Sequence, residues 1–213
     1  MRKIYQKYKY IASNPYRDYN DETESIFIHI PKTAGISVSK SIYGENKGHT
    51  KLLHYQRYDE ERFDRYYKFA FVRNPWDRFV SAFYYLKKGG RNQQDKSWAA
   101  KYLMNGESLN GFIERINGDK NFRRDVLIHQ HFEPQINYLK DKSGNLNIDF
   151  IGRFENLNDD FQKIANHLQI SAKLKEININ KEKDHYKTYY NDKTKEIIER
   201  LYAEDIIKLN YQW

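Results

Sequence analysis

The 213-residue chain contains no cysteine, so it has neither disulfide bonds nor thiolate zinc sites. It also lacks any run of the roughly 18 consecutive apolar residues that span a bilayer. The start of the chain, Met1 to Lys7, has no apolar stretch typical of a secretory signal. From these absences we expect a soluble, cytoplasmic protein without a signal peptide or transmembrane helix.

Positive charge, in contrast, is in excess. Lysine and arginine number 37 against 29 acidic residues, a formal net charge of +8. This balance favours an anionic partner, which charge alone leaves open among a nucleotide, a nucleic acid, a polyanionic glycan and a membrane surface. Hydrophobic residues make up 39% of the chain, which is enough for a folded core.

Apolar runs typical of strands alternate with helical patterns along the chain. The runs lie at 25–31, 66–72 and 148–152, and the sequence predicts helices at 35–43, 57–65, 75–88, 157–168 and 194–209. Strands separated by helices indicate βαβ units. We therefore predict one α/β domain over residues 1–213, three-layered and similar to P-loop kinases, with a central, mostly parallel sheet of about four or five strands.

Three stretches fall outside this alternation. Residues 1–24 form a tyrosine-rich arm that either packs on the domain or stays mobile. Residues 44–56 contain two glycines and two histidines and are predicted to be a loop. Residues 91–120 are polar and are predicted to be a surface insertion at the acceptor side, with one helix around Leu109–Ile116.

The first strand ends in a turn that is suited to an anion. Lys32 precedes Gly35, so the turn is not a Walker motif, in which the lysine follows the second glycine. Lysine, glycine and hydroxyl groups at the start of a helix can nevertheless surround a terminal phosphate. The hydroxyl groups belong to Thr33, Ser37 and Ser39. An ordinary turn in which these hydroxyls only cap the helix is the alternative.

The second strand ends in a similar basic turn. Arg73 lies where ligands bind in open α/β sheets, and Ser81 follows two turns along the next helix. A guanidinium and a hydroxyl together make a phosphate clamp. Asn74 and Pro75 are suited to begin that helix. Arg78 is expected to form a surface salt bridge, and Trp76, Phe79 and Phe83 are expected in the core.

These segments resemble the carbohydrate O-sulfotransferases that use 3′-phosphoadenosine 5′-phosphosulfate (PAPS), especially short bacterial members related to the Golgi heparan and chondroitin sulfotransferases. The resemblance extends over residues 25–213 in the same order. It rests on residues 29–37, 69–78 with Ser81, 131–135 and 149–157, and on Tyr189, Tyr190 and Asp205.

The resemblance implies that the first turn binds the 5′-phosphosulfate through Lys32, Thr33, Ala34, Gly35, Ile36 and Ser37. It implies that Arg73 and Ser81 bind the 3′-phosphate, and that Lys32 is the electrostatic catalyst. Transfer in this family is an in-line displacement without a metal, which leaves adenosine 3′,5′-bisphosphate and a sulfated sugar. A loop at 180–186 resembles one that closes over the nucleotide, and we carry over Lys183 and Tyr186. Glu182 stands there where relatives have a serine, and a solvated charged loop is the alternative.

A sugar hydroxyl needs a general base, and histidine is the natural candidate. His49 resembles the family's base in order and spacing, and His54 is the alternative base or an acceptor-binding residue. His131 either lines the acceptor cleft or fixes the turn before Pro134. His29, within the first strand, is expected to be structural.

The acceptor itself stays open among a lipid-linked oligosaccharide, a polysaccharide in biosynthesis and a small glycoside. Contact with a membrane surface is also open, and no nucleic acid is expected. A nucleotide kinase is the nearest alternative, but it needs a Walker lysine and an acidic Mg²⁺ site. A basic nucleic-acid-binding module and a catalytically dead sulfotransferase-like scaffold are the others.

Overall fold

The computed structural model describes residues 13–46, 48–174 and 185–213. By their internal contacts these residues form two compact units. Unit 1 contains the described residues up to 72 and from 135 to 174, and unit 2 contains 73–134 and 185–213. The single domain over 1–213 stays a prediction.

The described strands are β1 Ser25–Ile28, β2 Tyr67–Val72 and β3 Phe150–Arg153. The described helices, in chain order, are α1 Asp18–Glu22, α2 Gly35–Tyr43, α3 Leu52–Tyr58, α4 Glu60–Arg65, α5 Pro75–Lys87, α6 Gln93–Tyr102, α7 Leu109–Gly118, α8 Lys120–Leu127, α9 Ile136–Leu139, α10 Leu157–His167, α11 Asp192–Leu201 and α12 Ala203–Lys208. Within these residues, no helix is long and apolar enough to cross a membrane.

The sheet lies in unit 1 and is entirely parallel, in the order β1-β2-β3. Phe27 pairs with Phe69, which in turn pairs with Phe150. The α/β fold class with a parallel sheet flanked by helices is confirmed. The described residues contribute three strands, at the three predicted apolar runs, rather than the expected four or five.

Helices cover the sheet because side chains alternate between the two faces of each strand. Phe27, Phe69 and Phe71 pack on one face against Val38 of α2 and against three residues of α10, namely Phe161, Ile164 and Ala165. The buried Lys68 points to the other face, where its ammonium donates to the carbonyl oxygens of Phe63 and Tyr66. Phe63 belongs to α4, so this helix covers part of the second face.

The loop predicted at 44–56 is shorter than expected. Helix α3 begins at Leu52, and both Leu52 and Tyr55 are buried. The described part of the arm, residues 13–24, packs on this helix, because the Tyr16 hydroxyl donates to the carbonyl oxygens of Tyr55 and Asp59. For these residues, the packed alternative is the correct one.

Unit 2 is helical and begins as the sequence predicts. The Asn74 side chain accepts hydrogen bonds from the backbone N–H groups of Trp76 and Asp77, and Pro75 occupies the first turn of α5. The predicted helix around Leu109–Ile116 is confirmed as α7, whereas α6 was not predicted. The stretch was expected on the surface, but Leu109, Phe112, Ile113 and Ile116 of α7 are buried in the core of unit 2. The helix predicted at 194–209 is two helices that meet at Tyr202. The expected core residues of α5 are confirmed: Trp76, Phe79 and Phe83 are buried.

Candidate active site

The turn between β1 and α2 has an unusual backbone. Lys32 and Ala34 both have positive φ, 73° and 63°, a region that non-glycine residues rarely adopt. Ala34 is the N-cap of α2, and its methyl side chain has no oxygen that could cap the helix. Left-handed residues before the start of a helix can turn backbone N–H groups toward an anion, which is how proteins form anion sites.

The hydroxyl groups of this turn serve different purposes. Thr33 is fully buried, and its Oγ1 donates to the carbonyl oxygen of Ile30 at 2.9 Å. The Ser39 hydroxyl donates to the carbonyl oxygen of Glu45 at 2.6 Å. Both hydroxyls therefore stabilise the backbone on either side of α2. Phosphate binding by the six residues from Lys32 to Ser37 stays a prediction.

His49 lies in the loop after α2 and is anchored to the end of β1. Its Nδ1 lies 2.9 Å from the carbonyl oxygen of His29, and the two imidazole ring centres are 4.2 Å apart. A carbonyl oxygen only accepts hydrogen bonds, so Nδ1 carries the proton in the neutral ring. In that tautomer Nε2 is unprotonated, as a general base requires.

A cavity of about 170 Å³ lies beside the His49 loop in unit 1. It is lined by Gly48 and Thr50, which flank His49 in the chain, and by the predicted site residue His54. Its other lining residues are Ser13, Asn14, Pro15, Arg17, Tyr19 and Tyr55. Burial lowers the pKa of His54, and the nearby Lys51 and Arg57 lower it further. The lining residues that the structure describes are polar and aromatic, with no carboxylate among them.

In unit 2, Arg73 is held by a carboxylate one helical turn away. Its Nε and Nη2 lie 2.8 and 2.7 Å from Oδ2 of Asp77. The neighbouring Asn74 donates to the Tyr186 hydroxyl at 3.3 Å and to the carbonyl oxygen of Gln212 at 3.1 Å. Asn74 directly follows Arg73 in the chain, so its hydrogen bond places the predicted nucleotide-binding residue Tyr186 near the start of α5. Ser81 lies within α5 and is half-buried, and Lys183 lies outside the described residues.

Arg78 corrects one expectation, since it is not a surface residue. Its side chain is 2% exposed and donates from Nη1 to the carbonyl oxygen of Glu133 at 2.9 Å. The Tyr202 hydroxyl donates to the adjacent carbonyl oxygen of Phe132 at 2.5 Å. Arg78 and Tyr202 therefore fix the turn before Pro134 from the core of unit 2.

His131, in the same turn, is buried as well. Its Nε2 lies 3.3 Å from Oδ1 of Asp95, whose other oxygen accepts a hydrogen bond from the Tyr85 hydroxyl at 2.6 Å. Burial alone would raise the pKa of Asp95, but Tyr85 and His131 outweigh this effect and lower it. The Asp95 interaction favours the structural alternative for His131, and an acceptor contact stays a prediction.

Two of these partners were missed by the sequence analysis, although one carries a signal. Arg73 and Asp77 are four residues apart, the spacing that brings opposite charges together on a helix. Asp95 lies in the polar insertion and has no such pattern. Within the described parts of the chain, no three histidine or acidic side chains cluster as a metal site requires.

The chain is similar to known proteins. Over 119 residues the chain is 29% identical to an uncharacterized protein of Archaeoglobus fulgidus, an overlap of 55% of this chain and 80% of that relative. No solved structure matches the chain. A model of the sulfotransferase family, however, matches residues 18–212. The chain therefore belongs to the sulfotransferase family.

Proposed function

We propose that the protein transfers a sulfuryl group from PAPS to a hydroxyl of a carbohydrate. The observation that carries the proposal is the arrangement in unit 1. There the turn with Lys32 and Ala34 leads into α2, and His49 is held by the carbonyl of His29, directly after β1. Sulfuryl transfer to a hydroxyl needs a site for the anionic donor and an oriented base near it. Both would lie here at the end of β1.

In the proposed reaction, the acceptor oxygen forms a bond to sulfur while the bond from sulfur to the 5′-phosphate oxygen breaks. Negative charge develops on the departing phosphate. The Lys32 ammonium and the backbone N–H groups at the start of α2 stabilise that charge. Lys32 is half-buried, so its charge is only partly screened by water.

The hydroxyl proton goes to Nε2 of His49. The hydrogen bond from Nδ1 to the His29 carbonyl fixes the tautomer that leaves Nε2 unprotonated. When Nε2 takes the proton, the carbonyl still accepts from Nδ1 and stabilises the imidazolium. The products are the sulfated acceptor and adenosine 3′,5′-bisphosphate.

For the 3′-phosphate we propose Arg73, Ser81 and Tyr186. Asp77 orients the Arg73 guanidinium, and Asn74 holds the Tyr186 hydroxyl. A 3′-phosphate far from the sulfur contributes recognition and not chemistry. Recognition of the 3′-phosphate would let the protein distinguish PAPS from ATP and AMP, which lack this group.

For the acceptor we propose the cavity beside the His49 loop. Its tyrosine rings and hydroxyl groups match the apolar faces and the hydroxyl groups of a sugar, and His54 contributes a neutral imidazole at neutral pH. A saccharide unit of an oligosaccharide, polysaccharide or glycolipid is therefore the proposed acceptor.

Thermal unfolding with three nucleotides tests the donor. At 100 times the dissociation constant, a ligand stabilises the folded state by about 2.7 kcal/mol. We expect adenosine 3′,5′-bisphosphate to raise the melting temperature more than AMP or ATP at equal concentration. Equal stabilisation by ATP would favour a kinase, and salt-sensitive binding of any oligonucleotide would favour the nucleic-acid module.

Labelled PAPS then tests the transfer itself. We expect label to move from PAPS to a panel of saccharides with the wild-type protein and to be lost with His49→Ala. If the protein binds adenosine 3′,5′-bisphosphate but His49→Ala transfers as fast as wild type, His49 is not the base. Binding without transfer to any acceptor would support the catalytically dead scaffold.

A further inference from the structure

The side chain of His29 fills the space beside Gly35. His29 directly follows β1 and is 3% exposed. A methyl group added at Gly35 would lie 1.9 Å from Cδ2 of His29 and 2.3 Å from Nε2. Real Cβ atoms essentially never approach another atom this closely. The glycine is therefore required here because the imidazole of His29 lies against the first residue of α2.

The same residue also contacts His49 in two ways. Its carbonyl oxygen accepts the hydrogen bond from His49 Nδ1, and its ring lies 4.2 Å from the His49 ring at an angle of 54°. On its other side the His29 ring stacks on Phe27, whose ring belongs to the core under the sheet. The His29 ring is thus held between Phe27 in the core, Gly35 and His49.

We propose that His29 is a positioning residue that sets the distance between the anion-binding turn and the general base. This proposal rests on the proposed function. The sequence analysis expected His29 to be structural, and the proposal gives it a part in the geometry of the reaction. The base belongs to a loop, and the turn belongs to a helix start. His29 contacts both.

The chemistry explains why such a contact matters. In-line displacement needs the acceptor oxygen, the sulfur and the departing oxygen on one line, and the base within about 2.6–3.2 Å of the hydroxyl. A misplacement of 1 Å can cost about a hundredfold in rate. The bond from Ser39 to Glu45 anchors the loop at its start. The His29 ring and carbonyl oxygen anchor the same loop at His49, the proposed base.

A double-mutant cycle tests the contact with the turn. In Gly35→Ala the new methyl group collides with the His29 ring, so we expect binding of adenosine 3′,5′-bisphosphate to weaken at least tenfold. In the double variant with His29→Ala the ring is gone, and we expect most of that binding to return. Coupling of this kind is the mark of two groups in direct contact. Additive losses would overturn the proposal.

A split between binding and turnover tests the contact with the base. His29→Ala keeps the backbone carbonyl and removes the ring. We expect kcat to fall about tenfold, while the dissociation constant for adenosine 3′,5′-bisphosphate changes less than threefold. If His29 had a purely structural role, its replacement would change both kcat and the dissociation constant, or would change neither of them. Either result would overturn the proposal. His167→Ala is the matched control, since His167 is an exposed histidine of unit 1 that stacks on Tyr67; it should change neither value.

Nitrogen NMR of the histidine rings tests the geometry without any activity. We expect wild-type His49 to carry its proton on Nδ1. In His29→Ala the carbonyl oxygen is still present, but without the neighbouring ring the imidazole of His49 should leave that oxygen for part of the time, so we expect a mixture of tautomers. An unchanged His49 ring in His29→Ala would overturn the proposal. If the wild-type protein transfers no sulfuryl group, the proposed function fails, but the tautomer measurement, which needs no nucleotide, still decides whether the His29 ring holds His49 in place.

Discussion

The guanidinium of Arg73 donates twice to a single carboxylate oxygen of Asp77, from Nε at 2.8 Å and from Nη2 at 2.7 Å. The two side chains are only 9% and 16% exposed, so the pair is largely shielded from water. Such a pair fixes the direction of the guanidinium more firmly than a surface salt bridge does. The phosphate contact that we propose for Arg73 would therefore use a guanidinium whose direction Asp77 sets.

The first prediction concerns the stability that this pair contributes. Asp77→Ala leaves a buried guanidinium without its carboxylate, and we expect the free energy of unfolding to fall by about 3 kcal/mol. The double variant with Arg73→Ala should lose much less than the sum of the two single variants. Denaturant unfolding of the four proteins measures this coupling, and strict additivity would contradict it.

The second prediction concerns the choice of nucleotide. Arg73→Ala should bind adenosine 3′,5′-bisphosphate at least tenfold more weakly, while its affinity for AMP changes little, because only the 3′-phosphate is assigned to Arg73. Calorimetric titration with both nucleotides measures the difference. The control is Arg124→Ala, which removes an exposed arginine of the same unit. An equal loss for both nucleotides would place Arg73 elsewhere than at the 3′-phosphate.

The third prediction separates the charge of Lys32 from its backbone. Because Lys32 has a φ of 73°, an ordinary replacement would disturb the turn, whereas asparagine tolerates this conformation. We expect Lys32→Asn to keep the melting temperature within about 2 °C and to lower kcat about 100-fold or more, as the loss of one electrostatic donor does. A steady-state assay with PAPS measures it. Unchanged kcat would remove Lys32 from the chemistry.

The fourth prediction concerns the pH dependence of stability. Burial lowers the pKa of His129 to about 4, although the nearby Asp95 carboxylate opposes the change. Between pH 6.5 and 4 the unfolded chain therefore binds a proton at this residue that the folded protein does not. Stability is fully present above pH 6.5 and is lost as the pH falls toward 4, by about 1–2 kcal/mol after solvent screening.

His129→Phe isolates this effect, because a phenyl ring can still stack on Trp98, whose ring centre is 4.4 Å away, and does not titrate. We expect the variant to lose less stability than wild type between pH 7 and pH 4.5 in denaturant unfolding. Parallel curves for the two proteins would show that His129 is not the residue responsible.

Some elements were predictable because their causes are local. Asn74 and Pro75 have the chemistry of a helix start, and α5 begins there; the pattern at 35–43 predicts the same bounds that α2 has. The expectation of a surface position for Arg78 was wrong. The spacing from Ser81 gives the side of α5 on which Arg78 lies, but not which residues pack against that side. The break between α11 and α12 was not predicted because the helical pattern of apolar residues continues through Tyr202. The Tyr202 hydroxyl donates to the carbonyl oxygen of Phe132, 70 residues earlier, and the local pattern does not show this contact.

By itself the sequence determined the class of fold, the family and the two turns that follow β1 and β2, since these depend on hydrophobic period, capping and the order of motifs. Only the tertiary structure decided that Arg78 and His131 are buried, and that the His29 ring lies between Gly35 and His49. Those facts depend on contacts between segments far apart in the chain, and the short-range pattern of residue types does not encode which segments meet.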